Sequence, residues 1–139
     1  MNRYRELPGP YDQLRRSAAF AGCRVVTARG ELDLTTVAPV AKDLIEARTG
    51  VGQLCLIVDL SEVTFADGSI LQPLCDAWTD SLARRGWVRV VYTRPAIGLV
   101  FRAGGLDGRF PGYASARDAW RGAVGAPGAG SRVGRFRSA

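Results

Sequence analysis

The stretch from Leu54 to Leu71, LCLIVDLSEVTFADGSIL, holds two structural periods and the point where one gives way to the other. Leu54, Cys55, Leu56, Ile57 and Val58, with Leu60 just past Asp59, form the near-continuous apolar run of a strand covered on both faces. From Ile70 onward the apolar residues fall at Ile70, Leu71, Leu74, Cys75, Trp78 and Leu82, a spacing that closes on one face of a helix. Asp67-Gly68-Ser69 lies between the two patterns and sets a hydroxyl beside a carboxylate where the helix begins. A doubly covered strand feeding a helix implies a parallel or mixed sheet with helices packed on it.

Working outward, strand and helix signals alternate. Pro8-Gly9-Pro10 breaks the chain before a short edge strand near Leu14 to Phe20, and a second strand covers Arg24 to Gly30, where Val25-Val26-Thr27 is β-branched. Thr35 or Thr36 is placed to cap a helix whose face is Val37, Val40, Ala41, Leu44 and Ile45, with Pro39 in its first turn and Gly50 as its stop. After the strand at Leu54 to Asp59 come a helix from about Ser69 to Arg85, a strand at Val88 to Tyr92 and a short helix near Ala96 to Ala103. A strand around Arg109 to Tyr113 and a last helix from Ser115 complete the order. Pro73 falls inside the second helix; with Ser69 as N-cap it would forfeit one intrahelical bond, which favours Ser69 over Asp67 as the cap. The expected architecture is α/β: one domain, a small mixed sheet of about four to five strands flanked by about four helices. Residues 1–13 read as a flexible N-terminal segment, 14–121 as the domain, and 122–139 as a disordered Arg/Gly-rich tail.

Composition narrows the function. The chain of 139 residues is one domain by size, and it carries a net charge of +6. Arg3, Arg5, Arg15 and Arg16 against Glu6 and Asp12 leave the first sixteen residues at +2, and Arg121, Arg132, Arg135 and Arg137 leave the end at +4, so the span between them is neutral. Basicity confined to the ends argues against a nucleic-acid partner. No stretch approaches the ~18 to 20 apolar residues of a membrane span. The start, MNRYRELPGPYDQLRR, has no apolar secretory core. Cys23, Cys55 and Cys75 sit in apolar patterns without CxxC spacing and read as reduced, buried thiols of a cytoplasmic protein.

Catalytic chemistry finds little to work with. The chain has no histidine, so Ser-His and Cys-His pairs and histidine metal sites are excluded, and no catalytic residue, metal ligand or cofactor is implied. Asp59 ends a strand as the phosphoacceptor of a response-regulator receiver does, but Lys42, the sole lysine, lies on the first helix, where a receiver's strand-end lysine is not found. Ala41-Lys42-Asp43 also lacks the glycine-rich approach of a P-loop. Trp78, Trp87 and Trp120 read as core aromatics rather than a base-stacking platform.

Gly30-Glu31-Leu32-Asp33, Val58-Asp59-Leu60-Ser61 and Phe65-Ala66-Asp67-Gly68-Ser69-Ile70-Leu71 occur in the order of the motifs of the STAS family, the domain shared by sulfate transporters and anti-sigma factor antagonists, and the chain resembles it. Pro95 to Phe101, leading to Gly105-Leu106-Asp107 and Phe110, resembles the family's third helix and last strand, so the likeness spans roughly Leu14 to Arg121. The resemblance implies a non-enzymatic bacterial transcription regulator whose partner is an anti-sigma factor protein kinase, with a homodimer left open. It makes Ser69 the phosphoacceptor that switches binding off. It makes Asp33, Asp67, Gly68, Ser69, Ile70 and Leu71 the partner-binding set, with Glu31 and Thr64 peripheral. Gly68 stands where the family has a first serine and Ile70 where it has a glycine. The alternative on the same fold is a constitutive scaffold or accessory subunit, such as the partner of a transport ATPase, with no serine switch. Each residue also has a structural reading: Ser69 as a helix cap, Asp67 as a turn cap, Asp33 as an Asx turn before a helix.

Overall fold

In the computed structural model, which describes residues 20–122, the doubly apolar run becomes the second strand of a parallel sheet. Strands β1 (Arg24–Leu32), β2 (Cys55–Ala66), β3 (Trp87–Val91) and β4 (Gly112–Tyr113) lie side by side in chain order, and every pairing is parallel. Helices α1 (Ala38–Ala47), α2 (Leu71–Ala83) and α3 (Pro95–Ala103) make the connections, and α4 (Ala116–Arg121) follows β4. This is the α/β layer fold that the alternation predicts, with four strands and four α-helices among the described residues. The edge strand expected near Leu14 to Phe20 lies outside the described residues except for Phe20, which sits in a turn.

The pleat of the strands sorts the core into two layers. On one face Val26 and Ala28, Leu56, Val58 and Leu60, and Val88 and Val90 pack against Val40 and Leu44 of α1, Leu74 and Ala77 of α2, and Ile97 and Phe101 of α3. On the other face Cys23, Cys55, Ile57, Val91 and Tyr113 meet Ala119 of α4. Leu56, Ile57 and Val58 are wholly enclosed, each such side chain contributing about 1.5–3 kcal/mol of burial free energy. Tyr92 stacks on Phe101 with ring centroids 4.8 Å apart, and its hydroxyl donates to the Phe110 carbonyl at 2.7 Å. Burial, and then the charge of Asp107, push the Tyr92 phenol up to about 12. The three tryptophans are half-buried against these layers, and Arg109 and Arg89 cover the rings of Trp78 and Trp87 at 4.1 and 3.8 Å.

β2 is longer than its apolar run suggests. It pairs with β3 only from Cys55 to Asp59, while its pairing with β1 continues to Ala66. Two register shifts, between Thr27 and Arg29 and between Gly30 and Glu31, each place one extra residue on β2. At the first shift the Asp59 carboxylate accepts the Ser61 N–H at 2.9 Å, satisfying a backbone donor beside the bulge. Asp59 is thus a structural member of the strand. At the second, Gly30 has φ of 74°, so the glycine that reads as the end of a strand is instead a kink inside one.

The entry to β3 is equally tight. Gly86 hands the chain from α2 to β3 against the backbone of Leu54, whose carbonyl accepts the Trp87 N–H at 2.9 Å. A Cβ at Gly86 would overlap that carbonyl. Gly86→Ala is therefore expected to lower stability by about 1–3 kcal/mol or more. In urea titrations this appears as an earlier midpoint at unchanged slope; an unchanged midpoint would refute the close approach.

Candidate functional site

The overhanging end of β2 brings the sequence motifs together. Leu32 pairs with Ala66, and the ladder gains one further bond when Asp67 N–H donates to the Leu32 carbonyl at 3.0 Å. Asp33 and Asp67 therefore leave adjacent strand ends side by side, close enough for the charge of Asp33 to oppose ionisation of Asp67.

Each carboxylate organises its own turn. Asp33 Oδ1 accepts the Thr35 N–H at 2.8 Å, the Thr35 hydroxyl at 2.7 Å, the Thr36 N–H at 3.1 Å and the Thr36 hydroxyl at 3.2 Å. The Thr36 hydroxyl also donates to the Glu31 carbonyl and accepts the Asp33 N–H. These bonds are the Asx turn that the motif allows, and they correct the capping assignment for α1. Thr35 and Thr36 are engaged in the turn, and the N-cap is Val37, with no side-chain bond. Hydrogen bonds from Thr35, side chain before backbone, hold the Asp33 carboxyl below the usual carboxylate range.

The cap at Ser69 is also corrected. Gly68–Ile70 forms a single 3-10 turn whose N-cap is Asp67, and Asp67 Oδ1 accepts the Ser69 N–H at 2.8 Å. The α-helix starts one step later, with Ile70 as N-cap, which puts Pro73 at N3, where its missing N–H leaves no intrahelical bond unmade. Ile70 is enclosed in the core and pins the turn from below. Ser69 itself is half-buried, and its Oγ is sealed from solvent with no hydrogen-bond partner of proper distance and angle. The hydroxyl still lies near the Asp67 carboxylate. Together with the Ser69 N–H it holds the Asp67 carboxyl low, helped by the Leu34 N–H.

Around this polar turn the surface is apolar. Leu34 is 81% exposed, Phe65 50% and Leu99 56%. Phe65, Ala66, Gly68 and Leu71 form one wall, and Ala96, Leu99, Val100 and Ala103 of α3 the other, of a groove of about 520 Å³. Arg94 fixes the two walls: standing at the N-cap of α3, it donates from Nη1 to the carbonyls of Ser61 and Val63 at 2.8 and 2.9 Å. Those carbonyls lie on the part of β2 that has no β3 partner, so the guanidinium serves where a strand would. Of the expected set, Asp33, Asp67, Gly68, Ser69, Ile70 and Leu71 all cluster here, with Ile70 as an inward anchor rather than a contact surface. Leu34, Phe65, Leu99 and Arg94 join them without any sequence signal of such a role, since only the tertiary fold sets α3 beside the turn. A larger groove of about 820 Å³ runs between α1 and α2 past the Arg48–Asp80 ion pair, and it includes none of residues 67–71.

The lowered carboxylates fix a pH dependence. A carboxyl held low in the folded state contributes stability that is present above its unfolded pKa, about 3.9 for Asp, and lost as pH falls through the folded value. Asp67→Asn keeps the oxygen acceptor but removes this linkage. Thermal midpoints of the variant should therefore fall less steeply than wild type from about pH 4 downward, and parallel curves would show that Asp67 is not coupled to folding.

The chain matches the STAS domain family model over residues 18–119. Among solved structures it is similar to an anti-sigma-factor antagonist (STAS) domain protein from Planctomyces limnophilus, at 20% identity and TM-score 0.64, over 74% of this chain and 92% of that one. An anti-sigma factor antagonist from Mycobacterium paratuberculosis aligns at 26% identity and TM-score 0.62, over 74% and 86% of the two chains. The anti-sigma factor antagonist SpoIIAA in its unphosphorylated form aligns at 23% identity and TM-score 0.58, over 74% and 91%. No curated protein matches the chain in sequence. With ordered motifs, a parallel sheet and a family match over most of its length, the chain belongs to the STAS domain family.

Proposed function

We propose that this chain is a cytoplasmic, non-enzymatic antagonist that docks an anti-sigma factor protein kinase on the Asp67–Leu71 turn and its apolar surround, and is released when Ser69 is phosphorylated. The observation that carries the reading is a capped serine turn set on one wall of an exposed apolar groove, with Phe65 on the same wall and Leu99 on the facing one. Desolvated apolar residues supply affinity, and a charge placed at the centre of such a contact removes it. A phosphate on Ser69 would bring about −1.5 to −2 charge beside the Asp67 and Asp33 carboxylates. The sealed Oγ leaves no room for it in the present turn. Modification would thus unwind Gly68–Ile70 as well as add charge. The likeness to anti-sigma factor antagonists of known structure supports the partner class.

One observation favours the second reading, a constitutive scaffold or accessory subunit of a transport ATPase: the hydroxyl is enclosed and Ile70 is locked in the core, which makes the serine a poor kinase target.

Intact-mass measurement after incubation with anti-sigma kinases of the same genome and Mg-ATP, with complex formation followed in parallel, separates the two. The switch requires a phosphate adduct that Ser69→Ala abolishes and a complex that Ser69→Asp breaks. Phe65→Ala and Leu99→Ala should each weaken the complex by about 1–2 kcal/mol, roughly five- to thirtyfold in Kd. Absence of both adduct and complex with any such kinase would end the antagonist reading, whereas binding to an ATPase that is unchanged by Ser69→Asp would establish the scaffold.

A further inference from the structure

Two nucleophilic side chains lie at the opposite end of the sheet from Ser69, and nothing described so far employs them. β1 pairs with β2 so that Arg24 lies beside Leu56, and the residues immediately before that pair are Cys23, at the entrance to β1, and Cys55, the first residue of β2. Both thiols belong to the apolar cluster under α4, at 5% and 8% exposure, and they are near enough for the charge of one to act on the other. Neighbouring strands stand about 4.8 Å apart, inside the roughly 4.4–6.8 Å that separates the Cα atoms of a disulfide. Cys75 is remote from them, on α2 at the other face of the sheet and in contact with Arg109.

We propose that Cys23 and Cys55 are a redox-modification site, a facing thiol pair that a small disulfide converts into an intrachain disulfide stapling β1 to β2. Among the described residues the cover over the pair is slight. The turn from Phe20 to Cys23 is closed by the Cys23 N–H on the Phe20 carbonyl at 2.9 Å, and Phe20 meets Trp120 edge-on at 5.9 Å. The Trp120 indole N–H reaches the Ala21 carbonyl at 3.3 Å. Opening these few contacts, a local event well short of global unfolding, admits a reagent.

One protein thiolate then attacks a sulfur of the reagent, whose S–S bond breaks, and the departing thiolate takes up the proton that the attacking thiol lost. The second protein thiolate displaces the remaining reagent thiol from the mixed disulfide. Two electrons pass from the protein pair to the reagent, and two reagent thiols leave. Burial, then the charge of Cys55, push the Cys23 thiol up to about 11, so the reaction is slow at neutrality and quickens with pH as the thiolate fraction rises.

The test is glutathione disulfide added to the native full chain, followed by intact mass and by non-reducing peptide mapping, which needs no variant. The expected result is a product lacking two hydrogen atoms, a linked peptide pair containing Cys23 and Cys55, reversal by a phosphine, and a raised thermal midpoint. The rate should climb about tenfold per pH unit between neutrality and pH ~9, and Cys75→Ser should change none of this. A native chain that stays reduced under conditions where the urea-unfolded chain reacts, that stops at a glutathione adduct, or that links through Cys75 would overturn the proposal.

Discussion

Everything in this molecule is arranged around a strand that must be covered twice. β2 has Leu56, Ile57 and Val58 wholly enclosed, hydrogen-bonds to β1 along one edge, and bonds to β3 along the other for its first five residues. A strand so placed cannot shift register without exposing one apolar face and burying the polar residues of the next positions. Helices on both faces follow from that, and so does the parallel order of the neighbours, because each crossover has to return across a covered face. The consequence that matters for function is where β2 stops being central. Past Asp59 it loses β3 and projects with β1 alone, and the projecting end carries the turn with Ser69.

That projection is held by the buried Leu60, Val63 and Ala66 and by polar devices at its bulges and turn. Asp59 takes the Ser61 N–H at one bulge, Arg94 takes two carbonyls that a strand would otherwise take, and Asp67 takes the Ser69 N–H where the chain turns. Only Ile70 reaches into the core from the 3-10 turn. A turn retained by one buried side chain, worth about 1.5–3 kcal/mol, and one carboxylate cap can open at modest cost without unfolding the sheet. The surface beside it is apolar because β2 there has a free flank: Phe65 has no β3 residue across from it, and α3 stops short of covering it. The same geometry thus produces an unsatisfied apolar surface and a conformationally yielding segment next to each other.

The sequence makes some of this plain and hides the rest for definite reasons. The doubly apolar run, the helical stripe after it and the alternation around them are short-range patterns, and their order survives intact in the fold. The end of β2 is hidden because polar Ser61, Glu62 and Thr64 break the apolar run while the backbone continues in the ladder through two bulges. Gly30 looks like punctuation because a positive φ serves a bulge as well as a turn. The choice between Asp67 and Ser69 as cap turned on whether an α-helix or a 3-10 turn comes first, a difference that Ile70 decides by where it finds the core. Phe65 and Leu99 are 34 residues apart, and Arg94 is some thirty residues from its acceptors. Such pairings are set by packing of α3 against β2, which no local pattern encodes.

The two ends of the sheet differ in how they are fastened, and this difference explains why the site sits where it does. Behind the N-terminal ends of the strands, Arg24 donates to the carbonyls of Ala47 and Thr49, and Arg84 to those of Arg48 and Gly52. Arg48 in turn is paired with Asp80 at 3.1 Å. The loop from α1 into β2 is therefore clamped by guanidinium groups that satisfy the orphan carbonyls of a helix C-terminus. At the opposite end the turns of Asp33 and Asp67 are closed mainly by short side chains to backbone within a few residues, with the Asp67 N–H on the Leu32 carbonyl and the Leu34 N–H on the Asp67 carboxylate as cross-strand links. Rigidity at one end lets the other end change without loss of the fold, because opening Gly68–Ile70 leaves the Arg24 and Arg84 clamps and the Arg94 bonds to Ser61 and Val63 in place. Under the proposed switch, the surface that binds in one state and releases in another sits at the end whose turns are closed by short local bonds.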